Sequence, residues 1–196
     1  PCCMFNVTMQ NHSPYTDDYA NFNVDVKVDG GKSDVTDRYL SLIRQTDKAF
    51  EELVDYFGNQ DDPTIVVIFG DHQPTDSVVE EIWNLNGKKG TELTAEDIQK
   101  RYKVPFVIWA NYDIDEENGV ETSVNYLGNK VLDAAGVPLY PYRQFLEEEA
   151  EQYPVLSAIH VVDNKGNDST ASELKDELID YRRLQYYEMF GKTEKK

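Results

Sequence analysis

The stretch Thr64-Ile-Val-Val-Ile-Phe-Gly-Asp-His-Gln-Pro74 decides the fold. Thr64 to Phe69 are β-branched or aromatic and carry no charge, as expected of a strand buried on both faces. Gly70 ends the strand, and Asp71 and His72 emerge where the chain leaves the sheet, the place where open α/β sheets hold ligands. A carboxylate beside an imidazole pairs a hard oxygen with a borderline nitrogen, a mixture that suits a divalent cation. The plainer reading makes Asp71 a helix cap and His72 a packing residue, and the local pattern leaves both open.

Upstream, Pro1-Cys-Cys-Met-Phe-Asn-Val-Thr-Met-Gln10 reads as a buried strand that begins at once, as in a chain cut inside a domain. The two cysteines, Cys2 and Cys3, are neighbours that would point to opposite faces, so they are expected as small buried hydrophobes and not as a disulfide. His12 follows in a loop that Pro14 helps to fix; it is a candidate ligand or phosphate partner, against the ordinary reading of a solvated loop histidine. Residues 16–35 form a polar excursion in which Val24, Val26 and Val28 alternate like a short edge strand. From Thr36 to Phe57 the period is helical, with Leu40, Ile43, Phe50, Val54 and Phe57 on one stripe and Gly58 just past the end. Strand, excursion, helix and strand make a crossover suited to parallel pairing. That arrangement would carry His12 and the Asp71–His72 pair to the same sheet edge.

Downstream, Ser77-Val-Val-Glu80 and Thr94-Ala-Glu-Asp97 fit capping boxes, each opening a short helix. Lys88 and Lys89 lie in the loop between them, either solvated or within reach of a phosphate. Val104 to Ala110 is a second apolar strand, and the acidic run Asp113–Glu117 is expected to face solvent. A helix is predicted over Thr122–Ala135 with Val124, Leu127 and Val131 inward, capped by Gly136. Glu147–Glu151 reads as the outer face of a further helix, and Val155–Val162 as a strand before the Asn164-Lys-Gly166 turn, with His160 structural. Thr170-Ala-Ser-Glu173 would cap a last helix carrying Leu174, Leu178, Tyr181 and Leu184 on one stripe.

A formal net charge of −18 over 196 residues argues against nucleic acid, which needs clustered Lys and Arg, and against adsorption to anionic lipid. It does not exclude an anionic substrate, because a bound cation reverses the local sign. No apolar run has the length of a membrane span.

Three stretches give the pattern a family likeness: Val7-Thr-Met-Gln-Asn-His-Ser-Pro-Tyr15, Tyr39-Leu-Ser-Leu-Ile-Arg-Gln-Thr-Asp-Lys48 and Ile68-Phe-Gly-Asp-His-Gln-Pro74. Asn125-Tyr-Leu-Gly128 and Tyr181-Arg-Arg-Leu-Gln-Tyr-Tyr-Glu-Met-Phe-Gly191 continue it. In this order they resemble the sulfatase branch of the alkaline phosphatase superfamily, and within it lipoteichoic acid synthase and related phosphoglycerol transferases. The resemblance implies a three-layer α/β fold with a mixed, largely parallel sheet, of which residues 1–196 would be the C-terminal half of one catalytic domain. It implies that Asp71 and His72 bind a divalent cation (manganese or magnesium first, zinc or calcium as alternatives) and that His12 approaches the substrate phosphate.

The nucleophile, a threonine in the synthases, and the membrane helices would lie in the preceding half. The implied reaction is transfer of phosphoglycerol from an anionic glycerophospholipid such as phosphatidylglycerol, at the extracellular face of the membrane. A sulfatase or phosphodiesterase of the same superfamily is the neighbouring enzyme reading, and a noncatalytic scaffold module the alternative of another class. As a half-domain the chain is expected to bind its missing half or to self-associate.

Overall fold

A computed structural model describes residues 2–157 and 159–191; the side chain of Ala95 lies outside the description. Pro1, at the head of the predicted first strand, and Ala158, inside the predicted strand Val155–Val162, fall outside the described residues. The chain forms two compact units, Pro1–Asn111 and Tyr112–Lys196.

The first unit is built from α1 (Asp34–Gly58), β1 (Ile65–Phe69), α2 (Asp76–Leu85), a 3-10 turn (Gly90–Glu92), α3 (Ala95–Lys100) and β2 (Phe106–Ala110). Its sheet is an antiparallel pair, with Ile65 opposite Ala110 and Phe69 opposite Phe106. The expected parallel partner of β1, the N-terminal stretch, is not a strand: residues 2–9 make no ladder, and Met4 and Phe5 are 80% and 74% exposed. Cys2 and Cys3 are likewise exposed thiols and not buried hydrophobes. The stretch has the composition of a strand, but no other described strand offers it backbone partners, and composition alone does not satisfy amide groups. Phe5 nonetheless approaches Phe69 at the end of β1, their ring centroids 6.5 Å apart. Both faces of β1 are half-buried rather than sealed.

The antiparallel pair is closed at both ends by irregular contacts. At one end the Asn111 side chain accepts the Thr64 N–H (2.8 Å) and offers its amide to the carbonyls of Phe57, Gln60 and Asp62. That single residue fastens the end of α1, the turn after it and the start of β1. At the other end the Gly70 N–H donates to Pro105 O at 3.1 Å.

The Val24–Val28 alternation is real in burial and wrong in pairing. Even positions from Phe22 to Val28 are half-buried and odd ones exposed, yet no strand among the described residues runs beside them. Helix side chains of α1 take the partner's role. The fully buried Ser41 Oγ accepts the N–H of Asp25 (3.1 Å) and Val26 (3.0 Å), and Asp37 Oδ1 accepts that of Val28 (2.9 Å). The segment then turns at Gly30, whose φ of +75° a side chain rarely adopts. Entry into α1 is fixed by Ser33, whose hydroxyl accepts the Thr36 N–H, and by Glu81 of α2, which accepts the Lys32 and Ser33 amides.

Thr94 and Asp97 form the predicted capping box of α3. The Ser77 box does not form: α2 starts at Asp76, with Thr75 at the cap position making no side-chain cap bond. Lys88 is not a free loop cation, because its ammonium pairs with the carboxylate of Asp97.

The second unit packs α4 (Val124–Ala134), α5 (Pro141–Gln152) and α6 (Ile179–Phe190) with the two-residue strands β3 (Val155–Leu156), β4 (Val161–Val162) and β5 (Asp168–Ser169). These strands are also antiparallel, in the order β3-β4-β5. The predicted strand Val155–Val162 is thus a tight hairpin, because Ser157 Oγ captures the amides of Ile159 and His160 and bends the chain back. Both described sheets are antiparallel, where a largely parallel sheet was expected.

The core of this unit gathers Tyr126, Leu146, Tyr153, Leu156, Val161, Leu178 and Tyr181. Val124, expected inward, is 69% exposed; α4 buries Tyr126, Leu127 and Asn129 instead. The Asn125–Gly128 stretch is structural. Asn125 donates to Leu156 O, and an added Cβ at Gly128 would meet the Arg143 guanidinium at 2.8 Å. Thr170 and Glu173 make their reciprocal bonds, but α6 begins only at Ile179.

Two outcomes follow. Ser41→Ala strands two half-buried amides and costs about 1–3 kcal/mol; hydrogen exchange at Asp25 and Val26 accelerates while α1 stays protected. The second concerns acid. The Lys88 ammonium, helped by the Thr94 amide and hydroxyl, holds the Asp97 carboxyl at about 2, below its ordinary value. The unfolded chain therefore takes up the proton first as pH falls. The stabilisation is complete above about pH 4 and is lost as pH falls through about 2. Urea midpoints measured across that window drop in the native chain, and Asp97→Asn flattens the drop.

Candidate functional site

Asp71 and His72 stand in the turn between β1 and α2, and three separate bonds from residues 101–105 fix that turn. Gly70 N donates to Pro105 O, the Gln73 amide donates to Lys103 O, and Arg101 donates to Pro74 O (3.0 Å) while pairing with Asp76 (2.7 Å). A Cβ at position 70 would lie 3.1 Å from the Val104 Cβ, so glycine lets the two segments approach without Val104 having to give way by a few tenths of an ångström. Gln73 and Arg101 were not legible as site residues in the sequence: each acts through a backbone carbonyl far along the chain. The Asp97–Lys88 pair and the capping box hold α3, and so hold Arg101 at this turn.

Within the turn, Asp71 Oδ1 accepts the His72 N–H at 2.9 Å, which aims the carboxylate along its own backbone. His72 Nδ1 lies 2.8 Å from Gln73 O. A carbonyl only accepts, so Nδ1 carries the proton and Nε2 of the neutral ring keeps its lone pair. That Nε2 lies 3.6 Å from Asp71 Oδ2. Two donors each ~2.1 Å from one ion at a tetrahedral angle stand roughly 3.4 Å apart, so the pair has the spacing and the lone pairs of a two-donor cation site. The Gln73 carbonyl on Nδ1 also fixes the plane of the ring, as a hydrogen bond on the far nitrogen does wherever an imidazole serves as a ligand. Both side chains are largely exposed, at 78% and 67%, so the remaining coordination positions are open to solvent. Among the described residues no group of three or more His, Cys, Asp or Glu could hold a metal ion.

His12 stands in the segment that precedes α1. It stands after a turn closed by its own N–H on Met9 O, and its Nδ1 lies 2.7 Å from Ser13 O, which again leaves Nε2 as the free nitrogen. Asn11 beside it bonds Thr46 of α1 in both directions (2.9 and 3.2 Å), and the Tyr15 hydroxyl donates to Asn11 O. His12 lines a groove of about 470 Å³ whose walls come from residues 9–22 and from Arg38, Leu42 and Gln45 of α1; neither Asp71 nor His72 is part of them. The structure brings Asp71 and His72 together and sets His12 in this groove.

His160, read as structural, bonds Asp168 with its Nδ1 at 2.9 Å and ties β4 to β5. In the second unit, the buried Tyr126 hydroxyl and Glu149 Oε2 have no hydrogen-bond partner. Burial, with Asp180 and Glu148 nearby, pushes the Glu149 carboxyl above the usual carboxylate range. Burial, with Tyr142 and Glu149, pushes Tyr181 up to about 12. These phenols stay neutral near neutral pH and serve packing.

A family model described as sulfatase matches residues 1–137 of the chain. A Rhizobium meliloti (strain 1021) protein assigned to cyclic beta-1,2-glucan modification is 29% identical over 201 residues, covering 98% of this chain and 32% of that protein. The chain therefore spans about a third of the length of the curated relative it matches. No solved structure matches the chain significantly.

The donor geometry has a direct check. Manganese added to the chain broadens the His72 imidazole resonances, weakly because two donors bind weakly, and Asp71→Asn abolishes the effect. Broadening of His12 in the same titration would bring both histidines within reach of one ion.

Proposed function

The chain belongs to the sulfatase family, and on that premise we propose that it is part of a metal-dependent phosphoglycerol transferase acting on an anionic glycerophospholipid such as phosphatidylglycerol. The observation that carries this reading is the Asp71–His72 pair, with Oδ2 and Nε2 3.6 Å apart and the imidazole tautomer set by Gln73 O. These two residues would hold the cation, manganese or magnesium by preference, with zinc or calcium as alternatives. When bound, the ion lowers the pKa of an oxygen nucleophile and screens charge on the phosphoryl oxygens. The nucleophile itself is proposed to come from the part of the parent protein outside these 196 residues.

His12 supplies proton chemistry. With Nδ1 tied to Ser13 O, its Nε2 is the atom that hydrogen-bonds a phosphoryl oxygen or, when protonated, gives its proton to the departing diacylglycerol oxygen. The same nitrogen then accepts the proton of the incoming hydroxyl. That hydroxyl belongs to a glycerol of a growing lipoteichoic-acid-like polymer, to water, or to a glucan, the last supported by the relative's assignment to glucan modification. His12 and the Asp71–His72 pair are proposed to meet at one phosphate in the complete domain.

The remainder of that domain is the proposed cover for the exposed Met4, Phe5, Val7 and Met9, and without it the chain is expected to self-associate through them. The extracellular face of the membrane is the proposed location. No helix among the described residues is long and apolar enough to cross a membrane, so an anchor would come from elsewhere in the parent.

The test is transfer from labelled phosphatidylglycerol by the parent protein. Asp71→Asn and His72→Gln lower turnover by more than about a hundredfold, beyond the loss that outer-shell partners produce. His12→Gln lowers it by about 10²–10⁴-fold. Full activity in Asp71→Asn would refute the metal role. Label released only to water would favour a phosphodiesterase, and no turnover from lipid or sulfate esters a scaffold module.

A further inference from the structure

In a chain of net charge −18, an anion settles beside His12 only where a local cation offsets the repulsion of the whole. Among the described residues that line the His12 groove, Arg38 is the one lysine or arginine. It stands on α1 on the face that carries Leu42 and Gln45, four and seven residues further on, which line the same groove. Its side chain is only 18% exposed, and a guanidinium so far withdrawn from water needs an anion beside it.

The anion it holds is the Asp18 carboxylate, while another guanidinium N–H donates to Asp17 O at 2.9 Å. The planar fork is thus split between one carboxylate oxygen and one carbonyl, where a phosphodiester offers both its free oxygens at once. Asp18 is also easily displaced: its side chain is 90% exposed, so water solvates the carboxylate when the pair opens. Both bonds come from one short segment, residues 16–19, that forms no helix or strand. A single shift of that segment frees both guanidinium nitrogens. It also carries the Asp17 carboxylate, itself in the wall and bonded to the Tyr19 hydroxyl at 3.4 Å, away from an incoming anion.

We propose that Arg38 binds the phosphodiester presented to His12 Nε2, and that Asp18 is an internal anion that occupies the guanidinium until the ester displaces it. The inference rests on the phosphate role given to His12 in the phosphoglycerol-transfer reading, and adds to it a permanent charge and a built-in competitor. Asp18 and the ester share one partner, so removing the first strengthens binding of the second. The groove, of about 470 Å³, has the size of small-molecule sites and holds more than a bare phosphate. Asn21 and Gln45 supply amides in its wall that donate to and accept from the hydroxyls of an ester's glycerol.

The experiment titrates glycerophosphoglycerol, the soluble deacylated form of the proposed donor, into the 196-residue chain without added metal, read by phosphorus NMR linewidths and calorimetry. The diester binds, and Arg38→Gln weakens it about tenfold or more. Arg38→Lys recovers part of the loss, because an ammonium keeps the charge and lacks the fork. Asp18→Asn tightens binding about two- to fivefold, the strength of an exposed ion pair. A gain of affinity cannot come from a damaged fold, so this variant tests the proposal even if Arg38→Gln is destabilised. Inorganic phosphate binds more weakly than the diester.

No binding of the diester, an unchanged affinity in Arg38→Gln, or no gain in Asp18→Asn would each overturn the assignment, and the last two would do so even where His12→Gln weakens binding and the transferase reading stands. Inorganic phosphate binding as tightly as the diester would overturn the ester as the ligand. Conversely, His12→Gln without effect beside a weakened Arg38→Gln would remove the phosphate role of His12 and leave Arg38 as the anion's partner.

Discussion

The antiparallel pairing of β1 with β2 is the constraint on which the first unit depends. A two-stranded ribbon alone is marginal in water, so its ends must be held by something other than further strands. Asn111 holds one end, gathering Thr64 N and three carbonyls around a single amide. Gly70, Gln73 and Arg101 hold the other, each bonded to a carbonyl across the turn. The chemistry-bearing turn is thus the second clasp of the ribbon, and residues that position Asp71 and His72 also keep β1 in register.

The donor geometry follows from economy of parts. Asp71 and His72 are consecutive, so one peptide unit sets the separation of their side chains, and two hydrogen bonds to main-chain atoms fix the rest. What they lack is company. A solvent-open pair offers two donors at most, and the chain spans about a third of the curated relative it matches. The His12 nitrogen is prepared in the same way, by a carbonyl on Nδ1. Both histidines use the residue that follows them to choose the tautomer, an arrangement that leaves Nε2 available in each.

The first five helices, β1, β2 and the Thr94 capping box were legible because each rests on local signals, periodicity, an apolar run or a cap three residues from its partner, whereas the last helix starts at Ile179 and not at the Thr170 cap. That Asp71 and His72 follow a strand end was legible; His12 was read at the end of a strand that does not form. What could not be read was pairing. The Pro1–Gln10 stretch has strand composition, but whether a strand forms depends on a neighbour that no local pattern names. The Val24–Val28 alternation has the period of a strand because the chain is extended, and Ser41 and Asp37 supply from a helix the bonds expected from a sheet. Arg101, Asn111 and the Lys88–Asp97 pair were invisible for the same reason, their partners being set by tertiary proximity.

The extended segment lying along α1 carries a rule about its own length. Its side chains alternate between helix and solvent, and its amides meet acceptors at fixed heights on α1, so one residue gained or lost between Phe22 and Val28 would reverse every side chain beyond it. Phe22 would leave the groove, or the valines would leave the helix. The turn at Asp29–Lys32 is set differently, by the positive φ of Gly30, by the 2.7 Å that would separate a Cβ on Gly31 from the Val28 Cβ, and by the Lys32 N–H on Glu81. Stem and turn are therefore held to different rules: the stem keeps its parity, and the turn keeps its two glycines.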